Sequence, residues 1–349
     1  MNEKERVKRC INFSEIDKIP WQINYTTEIA DKIMRSINIE KLQYKVLGKN
    51  IYTYNKLDDF LGNHIAYVRN RAVNSVKEIK IGFFQDEWGV IWDRTIDKDI
   101  GVPVNYVLED NDFSKLEVPD PDDPDRYAHF QPTIDANKNR YILAKLSYSL
   151  FERAWSLRGM ENLMVDFITN PDFVHELFNK ITNFNLKIIE NLKNFNIDGI
   201  YFGDDWGQQR GLLMSPDMWR KFIKPYLKIM YKKTHDSGYA VFIHSCGDIT
   251  KVLEDLIEIG LDVFNPFQPE VIDVEHMLKE YRHKLAFYGG VSIQKTLPFG
   301  SILEVTKEIE NKIELATKYG GLIISPSHDM PPDIPVNNVI AMLKRIKCQ

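Results

Sequence analysis

A closed barrel of eight parallel strands, each followed by a helix, is the fold this sequence predicts. Two observations carry it. Short apolar runs alternate with helix-length amphipathic segments through the second half of the chain, and such βα alternation implies a parallel sheet covered by helices. Polar residues that do not belong in a core follow several of the runs, at the strand ends where such barrels keep their active sites. The class is therefore α/β, a (β/α)8 TIM barrel, expected as a single domain over residues 1–349 with an irregular N-terminal region. A doubly wound open sheet is the structural alternative, but no Gly-rich phosphate loop favours it.

In chain order, the first strand is expected near 19–24, where Ile19 and Trp21 would support the fold, and the second near 79–92. Residues 83–94 (FFQDEWGVIWDR) read as a hairpin or a strand with a Gly turn. Residues 109–126 (EDNDFSKLEVPDPDDPDR) are rich in Asp and Pro and predict a surface connection. Six further strands are expected at 141–149 (YILAKLSYS), 197–203 (IDGIYFG), 240–245 (AVFIHS), 262–267 (DVFNPF), 285–289 (LAFYG) and 321–325 (GLIIS). Helices are expected near 171–194, 216–237, 249–259, 273–281, 302–319 and 335–346. Ser215-Pro216 and Pro335 place Pro at or near a first helical turn, where its missing N–H costs nothing.

Bulk properties narrow the partners. Hydrophobic residues make up 44% of the 349 and charged residues 27%, an ordinary globular balance. The net charge of −5 leaves no basic footprint for nucleic acid or anionic lipid. No apolar run reaches the ~18–20 residues that span a bilayer. The charged opening MNEKERVKRC lacks the apolar core of a signal peptide. The cysteines are Cys10, Cys246 and Cys348, too few and scattered for a disulfide framework, which suggests a reducing, cytoplasmic setting.

Four strand ends carry candidate chemistry: Asp204-Asp205-Trp206-Gly207, His244-Ser245-Cys246-Gly247-Asp248, Asn265-Pro266-Phe267-Gln268 and Ser325-Pro326-Ser327-His328-Asp329. His244 and Cys246 are two apart, so on a continuing strand both project to one face. Imidazole nitrogen and thiolate sulfur both suit zinc. Alone, the pair reads more readily as a capped strand end with a buried Cys; His328, in the equivalent place on another strand, changes the balance and completes a set of three ligands with an open fourth position. Adjacent Asp204 and Asp205 face opposite ways on an extended backbone, one into the mouth and one towards a helix or turn cap. Glu152 follows a strand end and either lines the mouth or is a helix N-terminal charge. These three carboxylates are the catalytic candidates. Trp206, Gln209, Asn265 and Gln268 are candidate substrate contacts; Trp88, Trp92 and Trp206 could line a pocket, although such aromatic residues are more often core.

The blocks FGDDWGQQRGLLMSPDMWRKFIKPYLKIM, VFIHSCGDI, VFNPFQPE, FYGGVSIQKTLPFG and IISPSHDMPPDIPVNNVIAML together resemble the uroporphyrinogen decarboxylase superfamily. The opening ERVKRCINFSEIDKIPW resembles its entry segment. The likeness is strongest over 198–343 and greatest to the branch of zinc-dependent, corrinoid-linked methyltransferases. It implies a (β/α)8 barrel. Decarboxylases of the superfamily carry an Arg-rich segment after the first strand that grips porphyrinogen carboxylates; PWQINYTTEIADKI has no Arg here, which argues against that substrate. The methyltransferase branch binds zinc through a His-x-Cys pair, matched by His244 and Cys246, and a later Cys. That Cys is absent, and His328 falls in its segment.

The resemblance thus implies a zinc enzyme that moves a methyl group between a small methylated substrate or thiol and a corrinoid. No corrinoid-binding motif is recognisable in the chain, so a separate corrinoid protein would dock over the barrel mouth. Glu152 or a water would fill the fourth zinc position. Two alternatives stand: a cofactor-free decarboxylase of a small carboxylic acid acting through Asp204 or Asp205, and a non-catalytic barrel that binds a small ligand or corrinoid protein. The direction of transfer and the oligomeric state stay open, a homodimer included.

Overall fold

The computed structural model describes residues 1–46, 49–70, 75–98 and 100–349. Seven strands form one curled parallel sheet: β1 (Ile65–Arg69), β2 (Tyr141–Leu146), β3 (Gly199–Gly203), β4 (Ala240–His244), β5 (Val263–Phe267), β6 (Ala286–Val291) and β7 (Leu322–Pro326), each hydrogen-bonded to the next. The eighth position is taken by the extended segment 20–25. On one side its backbone pairs with β7, Gln22 N–H donating to Ile324 O and Ile324 N–H to Pro20 O, both at 3.0 Å. On the other side, side-chain amides stand in for much of the ladder to β1. Gln22 Oε1 accepts from Ile65 N–H at 2.9 Å, and Asn63 Oδ1 accepts from Ile23 N–H at 2.8 Å. The expected first strand is therefore in place, with Ile19 and Trp21 buried, and it closes a TIM-barrel-like fold.

Alternate strand residues point inward. Ile65, Tyr141, Leu143, Tyr201, Phe242, Val263, Ala286, Tyr288 and Ile323 make one interior cluster, and Val7 and Cys10 of the helix Glu3–Ile11 join it. The opposite strand faces pack against the helices in the larger core. The helices Pro171–Leu192, Ile302–Tyr319 and Val336–Lys347 fall where their amphipathic periods predicted.

Two expectations are corrected. The second barrel strand is Ile65–Arg69, not a segment near 79–92. Lys77–Lys80, Phe83–Gln85, Ile91–Asp93 and Val102–Pro103 instead form a separate antiparallel sheet. The predicted hairpin at 83–94 is its centre. Asp86 Oδ1 accepts from Trp88 N–H at 2.9 Å and Val90 N–H at 3.0 Å, which folds the chain back locally and denies it a place in a parallel sheet. The helix expected over 216–237 is two, Pro216–Phe222 and Lys224–Asp236, since Pro225 has no N–H to continue the first.

Candidate metal centre

β4 and the turn after it build the centre. His244 ends β4, in register with Gly203 of β3 and Asn265 of β5. Its Nδ1–H donates to Asn265 Oδ1 at 2.6 Å, and the Tyr201 hydroxyl donates to the same oxygen. Asn265 is held in turn by its Nδ2–H on Tyr288 O at 2.9 Å. With the proton on Nδ1, the lone pair of Nε2 faces Cys246 Sγ at 3.4 Å. Cys246 is placed by its own backbone, whose N–H donates to Asp205 Oδ1 at 2.8 Å. The turn then reverses at Gly247 (φ +80°), where any Cβ would lie 2.4 Å from Gln208 N; only glycine allows the hairpin after β3 to pack so closely.

His328 arrives on the loop after β7, its ring 5.3 Å from that of His244. The ligand atoms of His244, Cys246 and His328 all lie within 4.8 Å of one another, and among the described residues no other such group of His, Cys, Asp or Glu occurs. Tetrahedral zinc with bonds of about 2.0–2.3 Å sets its ligand atoms roughly 3.3–3.8 Å apart, so this nitrogen–sulfur–nitrogen set fits the ion with small side-chain movement. Burial, then the charge of Asp205, push the Cys246 thiol well above its ordinary range, and burial lowers the His244 imidazole below its ordinary value, with the charge of Asp205 opposing. Such a thiol stays protonated unless a cation compensates it.

The centre opens on a cavity of about 370 Å³ lined by His244, His328, Asp205 and Glu152 together with Lys145 and Arg153. The antiparallel sheet supplies one wall through Phe84, Asp86, Trp92 and Arg94. Arg153 Nη1 meets Asp86 Oδ2 at 2.7 Å and ties that wall to the helix Phe151–Arg158.

The candidate residues separate clearly. Glu152 and Asp205 border the cavity, and burial, then the charges of Asp205 and Asp204, raise the Glu152 carboxyl well above its usual range. Asp204 is no mouth residue. It is fully buried, and its oxygens accept from the N–H groups of Leu150, Phe151 and Glu152 at 3.3, 3.0 and 2.8 Å and from Trp206 Nε1 at 2.6 Å. Its catalytic assignment is corrected to a structural one, the cap of the helix that bears Glu152. Trp206 is core as well, fully buried against Trp219. Gln209 lies exposed in the Gly207–Leu212 hairpin, outside the cavity. Asn265 acts through His244, and Gln268 is buried away from the cavity lining. None of these four touches the cavity that they were expected to line.

Sequence reasoning missed Lys145, Arg69 and Tyr201. A signal existed: in YILAKLSYS the inward alternation Tyr141, Leu143, Lys145 puts a lysine on the barrel-interior face of a buried strand.

Together, a barrel of this topology and a nitrogen–sulfur ligand group at its C-terminal mouth define a metal-competent α/β-barrel protein. Residues 95–348 match the family model for uroporphyrinogen decarboxylase (URO-D), and the chain belongs to that family. Among solved structures, a methyltransferase from Methanosarcina mazei is similar, with TM-score 0.71, 16% identity, and 99% of this chain and 98% of that one covered. At that identity the likeness is one of fold. A broad-specificity endoglucanase from Clostridum cellulovorans aligns with TM-score 0.45 and 11% identity, covering 99% and 96%. A 3-keto-D-glucoside 4-epimerase from E. coli aligns with TM-score 0.40 and 14% identity, covering 63% and 83%. No curated protein matches the sequence. No helix among the described residues is long and apolar enough to cross a membrane.

Proposed function

We propose that this chain is a zinc-dependent methyltransferase that moves a methyl group between a small methylated substrate or a thiol and a corrinoid carried by a separate protein. The observation that carries it is the convergence of His244, Cys246 and His328 beside a cavity at the barrel mouth. Family membership and the shared fold with a methyltransferase support it.

Zinc held by these three residues would supply Lewis acidity towards a methoxy or methylamine substrate, or lower the pKa of a bound thiol. The chain's own groups do the rest. Tyr201 and Asn265 fix the His244 tautomer, and Asp205 holds the turn that presents Cys246. Burial holds the Glu152 carboxyl well above its usual range beside the cavity, which suits it to pass a proton to the oxygen or nitrogen that the methyl group leaves. Two imidazoles and one thiolate bear one negative charge fewer than one imidazole and two thiolates. That favours activation of an oxygen- or nitrogen-linked methyl over thiol methylation. Decarboxylation through Asp204 loses support, because backbone amides already occupy its oxygens.

Metal analysis of protein purified without chelator or added metal tests the proposal. About one zinc per chain is expected. Cys246→Ser and His328→Ala should each lower that occupancy and abolish methyl transfer to a corrinoid protein, with the fold intact by circular dichroism. Full zinc retention in both variants, or turnover by metal-free protein, overturns it.

A further inference from the structure

Two cations meet at one level of the barrel mouth, Lys145 half-buried and Arg69 exposed. Arg69 of β1 and Lys145 of β2 are register partners, so their side chains leave the sheet side by side on the same face. Like charges placed directly opposite on neighbouring strands destabilise a sheet, and a lysine in an enclosed site is costly unless it finds an anion. Among the described residues no carboxylate reaches ion-pair distance of the Lys145 ammonium. It lies instead over the rings of Tyr67 and Tyr201, 4.4 and 5.1 Å from their centroids. Burial, then the charge of Arg69, bring its pKa down to about 8, with Asp329 opposing. Protein surrounds Lys145 closely, yet the residue keeps partial solvent contact because it borders open space.

That open space is shared. Arg69, Lys145 and Asp329 line both the cavity beside the ligand group and a second one of about 710 Å³. The second cavity is bounded by Asn24 and Tyr25 of the segment that replaces a regular first strand, and by Tyr67. The two cations therefore stand where the cavities meet. Lys145 is one strand from Tyr201, its neighbour in register, and the Tyr201 hydroxyl lies 3.0 Å from His244 Nδ1. The segment 20–33 lacks arginine, but the cavity it borders does not lack cations.

We propose that Lys145 and Arg69 form an anion subsite that holds a carboxylate of the small substrate while its reacting end faces His244, Cys246 and His328. The subsite rests on the preceding reading only for what happens at that reacting end. A carboxylate between the two cations removes their mutual repulsion and gives the ammonium an anionic acceptor that the described residues do not supply. Charge-assisted hydrogen bonds of this kind are stronger than neutral ones, so a neutral analogue of the same shape should bind more weakly.

The test compares benzoate with benzamide, and acetate with acetamide, on the full chain at pH 7 and constant ionic strength, by titration calorimetry. Benzoate should bind roughly ten-fold more tightly than benzamide, the factor expected of one charge-assisted contact. Acetate should compete with benzoate where acetamide does not. Lys145→Met should erase the preference and Lys145→Arg should keep most of it. Equal binding of acid and amide by the wild-type chain, or no binding of either, overturns the proposal whether or not the variants fold. So does a preference that survives in folded Lys145→Met. Zinc content measured on the same preparations separates the two proposals. Loss of the carboxylate preference with full zinc ends the subsite alone; absence of zinc with the preference intact ends only the metal reading.

Discussion

His244 shows how one side chain is made into a ligand. Its ring is fixed by Asn265 Oδ1 on Nδ1, and Asn265 is fixed by the carbonyl of Tyr288. Partners of this kind raise ligand basicity and orient the ring, and their loss costs about 10–100-fold in metal affinity. Asn265→Ala should therefore weaken zinc binding by about that factor in a chelator competition. It also strands the Tyr288 carbonyl, a cost of about 1–3 kcal/mol in unfolding free energy, while the Tyr201 hydroxyl keeps His244 Nδ1 within reach. Gln209→Ala is the control. Its side chain is exposed on a hairpin outside the cavity, so chemical denaturation should shift by no more than about 0.5 kcal/mol, and zinc affinity should stay the same. A large loss of zinc in the Gln209 variant would contradict this placement.

The end of β3 and the start of the helix Phe151–Arg158 act as one unit through Asp204. Its carboxylate receives three consecutive N–H groups of that helix entry and the Trp206 indole. Burial raises its pKa to about 6, while the hydrogen bonds to Glu152, Phe151, Trp206 and Leu150 pull the other way. Asp204→Asn replaces one accepting oxygen with an NH2 group that meets donors head on. We expect a loss of about 2–4 kcal/mol in urea unfolding with zinc stoichiometry unchanged, since no ligand atom is touched. A silent variant would show that the helix entry finds its partners elsewhere.

Closure of the barrel imposes a pH dependence on the entire fold. His64 sits at the seam between the segment 20–25 and β1, its ring 4.2 Å from Trp21. Nδ1 meets Gly62 O at 3.0 Å, while the buried Nε2 has no partner among the described residues. Burial, then the charge of Arg6, push its pKa down to about 3 from 6.5. The unfolded chain thus binds a proton that the folded chain refuses across that window. Stability is fully present above about pH 6.5 and falls as the pH drops towards 3, by about 1.4 kcal/mol per pH unit from this group. Denaturation midpoints measured from pH 7 to 4.5 should show the decline. His64→Phe keeps an aromatic ring against Trp21 and should flatten it. An equally steep decline in that variant would assign the slope to other groups.

The barrel, most of its second-half elements and the trio His244, Cys246 and His328 were legible before any coordinates. Strand and helix periods are local, and short runs such as AVFIHS or GLIIS announce their own ends. Local too is the hairpin at 83–94, but whether it joins the barrel is not. That place went to Ile65–Arg69, five residues without a period long enough to stand out. Adjacent Asp204 and Asp205 differ by one step along the chain, yet one is swallowed by amides of a helix 52 residues earlier and the other faces the cavity. Lys145 and Arg69 lie 76 residues apart and become neighbours only through strand register. Pattern along a chain specifies which faces are buried, because burial follows the period of helix and strand. Which polar groups share a cavity depends on contacts between distant segments, and those are made only when the sheet curls and closes.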